Sequence, residues 1–317
     1  LCRYLAQVHD SMATDADQTI AAPRVLLTGA SSQIGVFAIP RLVEAGFHVL
    51  AISRSGKPAS FPAIRQVDWL TEREAVQASI TYQYLLSAGP MEVARRYLAG
   101  NGQLDAAVVF SSSSVESKQD SADPGEREQI QSMLALESEL MQSARNRGVR
   151  LVILRPTLIY GCGLDTNISR LASWARRFGF IPINANADGL RQPVHADDLA
   201  AVAIKAMLSE AQLPPVLSLA GGETLSYADM AARIFKASGR PARLLRLPER
   251  LFVLLVNTVK LFWPGSGING EMVRRQQVDL VFDDRQAREL LGYQPRALEP
   301  GADDFALPQL PDDWQAG

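Results

Sequence analysis

The chain has 317 residues, 47% of them hydrophobic, and a formal net charge of -2. This is enough apolar material for one large core with a smaller lobe, and the absence of a basic excess argues against nucleic acid as a partner. Two cysteines, Cys2 and Cys162, and three histidines, His9, His48 and His195, supply neither a disulfide framework nor metal-spaced ligands; no metal is expected and the chain reads as cytoplasmic.

Residues 1–20 lack a basic start followed by an apolar run, so no signal peptide is expected, and residues 1–22 read as an unstructured leader. Arg24–Thr28 is a short apolar run ending in a glycine turn, the pattern of a buried parallel strand. Gln33–Ala45 has helical spacing with Pro40 inside it, where a kink is expected, and Gly46 caps its end. Phe47–Ile52 completes a strand–helix–strand unit of about 30 residues, the span of a βαβ crossover. Strands follow at Ile64–Asp68, Tyr82–Ser87, Asp105–Phe110 and Arg150–Leu154, with helices at Met91–Ala99 and Glu126–Arg147. Further on, Ala196–Leu208 is helical, Pro215–Ala220 a strand and Ser226–Ser238 a helix. Leu251–Trp263 is too short to span a bilayer. A buried helix and a membrane-surface helix are both compatible with it.

This alternation predicts an α/β chain: a Rossmann-like doubly wound parallel sheet with a smaller C-terminal substrate lobe. The first domain covers 23–165, with 192–222 returning to it. The lobe covers 166–191 and 223–317.

The turn Thr28-Gly-Ala-Ser-Ser-Gln-Ile-Gly35 follows a strand and opens a helix. Its glycines let backbone N–H groups approach a pyrophosphate, and the helix aims its positive end there. Gly29, Ser31, Ser32, Gln33, Ile34 and Gly35 are the candidate contacts, with Ser32 where a second glycine is usual. The next strand ends in Ser53-Arg54 without a carboxylate to hold a ribose diol. A hydroxyl and a guanidinium suit a 2′-phosphate, which favours NADP and still admits NAD. Asp68 is placed to accept from the adenine amine.

Several motifs stand in order: the Thr28–Gly35 turn, Ser87-Ala88-Gly89, Phe110-Ser-Ser-Ser-Ser-Val115, Leu154-Arg-Pro-Thr-Leu-Ile-Tyr-Gly161 and Arg191-Gln-Pro-Val-His-Ala-Asp-Asp-Leu-Ala200. Ala220-Gly-Gly-Glu-Thr-Leu-Ser226 and Leu291-Gly-Tyr-Gln-Pro295 follow. Together they resemble the extended short-chain dehydrogenase/reductases of the NAD(P)-dependent sugar-nucleotide epimerase/dehydratase family, over residues 24–300.

The resemblance implies a nucleotide-sugar ligand. It adds Ser87, Ala88, Gly89, Ser111, Pro156 and Thr157 to the cofactor contacts. It places Asn167, Ile168, Arg191 and either Arg274 or Arg275 on the sugar diphosphate, and makes His195 structural. It also implies a homodimer through paired long helices; Met133, Leu134, Leu136, Leu140 and Met141 are suited either to such a face or to packing on their own sheet.

The family's catalysis needs Tyr-x-x-x-Lys on the long helix, where the ammonium lowers the phenol pKa for proton exchange with a sugar hydroxyl. Gln131 and Ala135 stand at those positions, and Val115–Arg150 holds no Tyr and one Lys, Lys118. Of the family's catalytic set only the hydroxyl remains, as Ser112 with Ser113 beside it. Two readings stand. One is an atypical enzyme acting on a nucleotide-activated sugar by epimerisation, dehydration or keto reduction. The other is a catalytically silent NADP(H)-binding sensor or structural subunit.

Overall fold

The computed structural model describes residues 22–100, 103–237, 239, 241–262 and 275–308. Nearly all of the leader, together with Cys2, His9, Trp263 and Arg274, lies outside the described residues.

In chain order the strands are β1 (Arg24–Thr28), β2 (His48–Ile52), β3 (Val67–Leu70), β4 (Tyr84–Ser87), β5 (Ala106–Phe110), β6 (Arg150–Pro156), β7 (Ile159–Tyr160), β8 (Ile181–Asn184), β9 (Leu190–Arg191), β10 (Val194–His195), β11 (Val216–Leu219), β12 (Leu225–Ser226) and β13 (Leu244–Leu247). The helices are α1 (Gly35–Glu44), α2 (Glu72–Gln77), α3 (Met91–Leu98), α4 (Ser114–Ser117), α5 (Pro124–Arg147), α6 (Ile168–Phe178), α7 (Ala196–Leu208), α8 (Tyr227–Lys236), α9 (Glu249–Phe262) and α10 (Arg285–Leu291). Seven strands form one sheet in the order β11-β6-β5-β4-β1-β2-β3, and all its pairs are parallel.

The strands are apolar along their length because both faces of the sheet are covered. Val25 and Leu27 of β1 enter one core with Val49 and Ala51 of β2, while Leu26 enters the other with Leu50 and Ile52. Helices α1 and α7 cover the first face and pack on each other; α3 and α5 cover the second. Full burial of each such side chain is worth ~1.5–3 kcal/mol against leaving it exposed. Helix α1 runs on across Pro40. Helix α5 starts at Asp123, whose carboxylate accepts the Gly125 amide at 2.8 Å, has Pro124 in its first turn and ends at left-handed Gly148. These are the start and stop signals that suit a helix.

Leu136 and Leu140 do not supply a dimer face. They are buried in the core that α5 shares with its own sheet, with Met133 packed against it. Between 128 and 142 α5 exposes Glu128, Gln129, Gln131, Ser132, Ser138, Glu139 and Gln142, with Ala135, while Leu134 and Met141 are half-buried.

The lobe is built from α6, the parallel pair β8–β13, α8 and α9. It has its own apolar clusters, one around Tyr160, Ile168, Met230 and Ile234, the other around Ala175, Ile181, Ile183 and Phe235. Helix α9 buries Phe252 and exposes Leu251 and Leu254. Among the described residues no helix is long and apolar enough to cross a membrane.

Candidate functional site

Strands β1, β2, β4, β5 and β6 all end at one edge of the sheet, and the candidate residues gather there. After Thr28 the backbone turns at Gly29, whose φ is +67°. A β-carbon at 29 would lie 2.5 Å from the Ala88 carbonyl carbon and 2.5 Å from the Gly89 nitrogen; one at 35 would collide with the Gly29 carbonyl oxygen. Both positions therefore require glycine. The Ser32 amide donates to the Gly29 carbonyl at 2.8 Å, and the Ser32 hydroxyl accepts the Gly35 amide at 3.1 Å. The serine at the second-glycine position thus braces the helix start. The result is a tight backbone cradle at the N-terminus of α1, the geometry that suits a pyrophosphate.

Around the cradle, Thr28 donates to the Ser87 hydroxyl at 2.8 Å, which locks β4 to β1. The Ser111 hydroxyl is buried and has no hydrogen-bond partner among the described residues, so a ligand group could satisfy it. Ser53 is buried and donates to the Gly56 carbonyl, while Arg54 is exposed beside it. Asp68 departs from expectation. It lies within β3, and its carboxylate is 2.7 Å from His48 Nε2, at the opposite end of β2 from Arg54. The strand reaches two residues beyond Asp68 before it ends, so this carboxylate is not a strand-end group.

A cavity of about 600 Å³ lies between this edge and the lobe, a size that suits a small-molecule ligand. Gln33, Ser112, Ser113 and Thr157 line it from the sheet side; Asn167, Ile168, Arg191 and Arg275 line it from the lobe. Gly29, Ser31, Ser32, Ile34, Gly35, Ser53, Arg54, Asp68, Ser87, Ala88, Gly89, Ser111 and Pro156 lie outside its lining, and Gln33 is the cradle residue that reaches it.

The polar groups of the cavity are largely engaged with one another. Arg191 donates to the carbonyls of Leu190 and Val278 at 2.7 Å each and to that of Arg275, and it stacks 5.6 Å over the Tyr227 ring. It thereby pins the 275–278 segment over the cavity; the family resemblance implied that Arg191 reaches a sugar diphosphate. Arg275 is ion-paired with Glu126, and Lys118 Nζ lies 3.5 Å from the same carboxylate. At the start of α6 the Asp165 carboxylate accepts the amides of Asn167 at 3.0 Å and Ser169 at 2.9 Å. An internal carboxylate therefore already occupies the Asn167 amide expected to face a diphosphate.

Gln131 and Ala135 are exposed on α5 and do not line the cavity. Ser112 accepts the Ser114 amide at 3.1 Å and donates to the Ser114 hydroxyl at 2.9 Å. Among the described tyrosines only Tyr227 lines the cavity, and burial pushes its phenol up to about 12. Tyr160 packs against His195, with ring centroids 5.0 Å apart, and its phenol is also raised by burial. His195 is 3% exposed; its Nδ1 accepts the Asp197 amide at 3.1 Å as the cap of α7, and its Nε2 lies 2.9 Å from Asp304. Sequence reasoning missed Glu126, Asp165 and Tyr227. For Asp165 a signal existed, an acidic residue just ahead of a helix with a hydroxyl four positions on; for Glu126 none was local.

No family model matches the chain. A UDP-glucose 4-epimerase of Vibrio cholerae is 24% identical over 166 residues, 52% of this chain. The match spans about half of that relative's length, 48%. An epimerase from Methanothermobacter thermautotrophicus superposes with a TM-score of 0.67 at 16% identity, covering 90% of this chain and 91% of the other. A putative epimerase from Burkholderia cenocepacia gives 0.66 at 18%, covering 93% and 99%. The Bacillus cereus UDP-glucuronic acid 4-epimerase, in complex with UDP-glucuronic acid and NAD, gives 0.60 at 17%, covering 86% and 94%. This is the fold of the sugar-nucleotide epimerases. It is a Rossmann-like architecture with a parallel sheet and a C-terminal lobe.

Proposed function

We propose that this protein binds NADP(H) in the Gly29–Gly35 cradle and acts on the sugar of a nucleotide-activated sugar in the adjoining cavity. One observation carries the reading. The cradle opens through Gln33 into a cavity on which Ser112, Asn167, Arg191 and Arg275 converge. The Vibrio cholerae relative is a UDP-glucose 4-epimerase, and the Bacillus cereus fold neighbour binds UDP-glucuronic acid and NAD, which supports the ligand class. The preference for NADP(H) rests on exposed Arg54 and the absence of a carboxylate at that strand end.

The active site on this reading is atypical, since Gln131 and Ala135 stand at the Tyr and Lys positions and do not line the cavity. That same placement favours a second reading, a catalytically silent NADP(H)-binding sensor or structural subunit. Calorimetric titration with NADPH, NADH and a panel of UDP-sugars, followed by turnover assays, decides between them. Binding with turnover supports the enzyme. Binding without turnover across the panel supports the silent protein. Failure of both ligand classes to bind overturns both readings.

A further inference from the structure

Six titratable side chains line the cavity among the described residues: Lys118, Asp165, Arg170, Arg191, Tyr227 and Arg275. Five are poor proton-transfer groups. An arginine does not release its proton in a protein. Both Asp165 oxygens are occupied, one by two amides and the other by the Ser169 hydroxyl. Tyr227 lies beneath the Arg191 guanidinium, bonds to Gln276 and is held protonated by burial.

Lys118 is different. It follows α4, whose preceding turn carries Ser112 and Ser113, so an ammonium and a hydroxyl line the same cavity within seven residues of chain. Its contact to Glu126 is long, 3.5 Å, and its side chain keeps 31% exposure. Glu126 spends its stronger bonds on Arg275 and on the Ser121 hydroxyl at 2.7 Å. The ammonium is thus tethered on one side with further protons to offer.

We propose that Lys118 is the catalytic acid of this site, protonating the oxygen of a keto-sugar, with Glu126 as its positioning residue. This rests on the enzymatic reading above and narrows it to ketone reduction. The carbonyl carbon takes a hydride from a reduced nicotinamide, and the C=O π pair moves onto oxygen. That oxygen takes a proton from Nζ, whose N–H pair stays on nitrogen, and water restores the proton to the amine. The balance is one ketone, one hydride and one proton to one alcohol. An ammonium supplied from the residue after α4 removes the need for any proton donor on α5.

The test has two arms. Pyridoxal phosphate with borohydride labels accessible lysines, and the chain has only five, Lys57, Lys118, Lys205, Lys236 and Lys260. Peptide mass mapping is expected to find Lys118 labelled and protected by UDP-glucose; labelling of Lys118 that UDP-glucose does not slow overturns the proposal. In the second arm, NADPH oxidation is followed with UDP-4-keto-6-deoxyglucose. Lys118→Ala and Lys118→Arg are each expected to lose ~10²–10⁴-fold in kcat, with NADPH affinity retained and with ethylamine restoring part of the Lys118→Ala activity. A wild-type kcat in Lys118→Arg overturns the proposal, because charge alone then suffices. NADPH and UDP-glucose binding with no turnover by the wild type also overturns it, while leaving the binding assignment intact.

Discussion

Glu126 at the start of α5 is ion-paired with Arg275, 149 positions further along the chain. The bond ties the helix beneath the sheet edge to the segment that Arg191 pins over the cavity. The Arg275 hydrogen bond holds the Glu126 carboxyl down to about 2, below its ordinary 4.5. A depressed carboxyl stabilises the fold above its unfolded pKa and loses that contribution as pH falls through the folded value. Glu126→Gln is therefore expected to destabilise at neutral pH, by ~1.5–3 kcal/mol for a charged hydrogen bond. The difference from wild type should shrink between about pH 4.5 and pH 2. Urea unfolding at a series of pH values reads this directly, and a pH-independent difference would contradict it.

Gly29→Ala is expected to weaken NADPH binding severely and to lower the melting temperature. The new β-carbon would meet Ala88 at 2.5 Å, and φ is +67°. The backbone strain alone is ~1–3 kcal/mol. Gly46→Ala, also at positive φ but with nothing within 4 Å, is the control. It should lower stability slightly and leave NADPH binding as it is. Thermal unfolding and calorimetry compare the two.

Arg54→Asp is expected to weaken NADPH binding much more than NADH binding, by ~1.5–3 kcal/mol for a lost charged contact to a 2′-phosphate. Arg54 is exposed, so the fold should not change. Equal loss for both cofactors in calorimetric titrations would remove the basis for an NADP preference.

Glu137→Ala is expected to cost ~3–5 kcal/mol, the range for stranding one member of a buried pair. The Glu137 side chain is 2% exposed and chelates Arg155, whose own side chain is 16% exposed. Arg155 precedes Pro156 at the end of β6, so misplacing it should also disturb the cavity wall at Thr157. Glu139→Ala, two residues on, removes an exposed pair with Arg95 and should cost ~0–1 kcal/mol. Denaturant midpoints separate the two.

The local pattern of the chain was enough to determine the layered parallel sheet. Apolar runs such as Val25–Leu27 have no polar face to offer water, so they must be covered on both sides, and the glycines at 29 and 35 mark a turn that a β-carbon would block. The apolar runs and the glycine spacing are local signatures, although the group that blocks a β-carbon at 29 is Ala88, on another strand end. The alternative partners of a charged side chain leave none. That Arg191 reaches the Arg275 and Val278 carbonyls, that Arg275 is held by Glu126, and that Leu136 and Leu140 pack on their own sheet are set by segments tens to more than a hundred residues apart. Asp68 is the same case, since its partner His48 lies 20 residues back, on the neighbouring strand. The chain alone thus shows the Thr28–Gly35 turn and a long helix without Tyr-x-x-x-Lys. Only the tertiary structure placed Lys118 in the cavity and left Gln131 and Ala135 outside it, because the direction in which a side chain points depends on how its helix is seated.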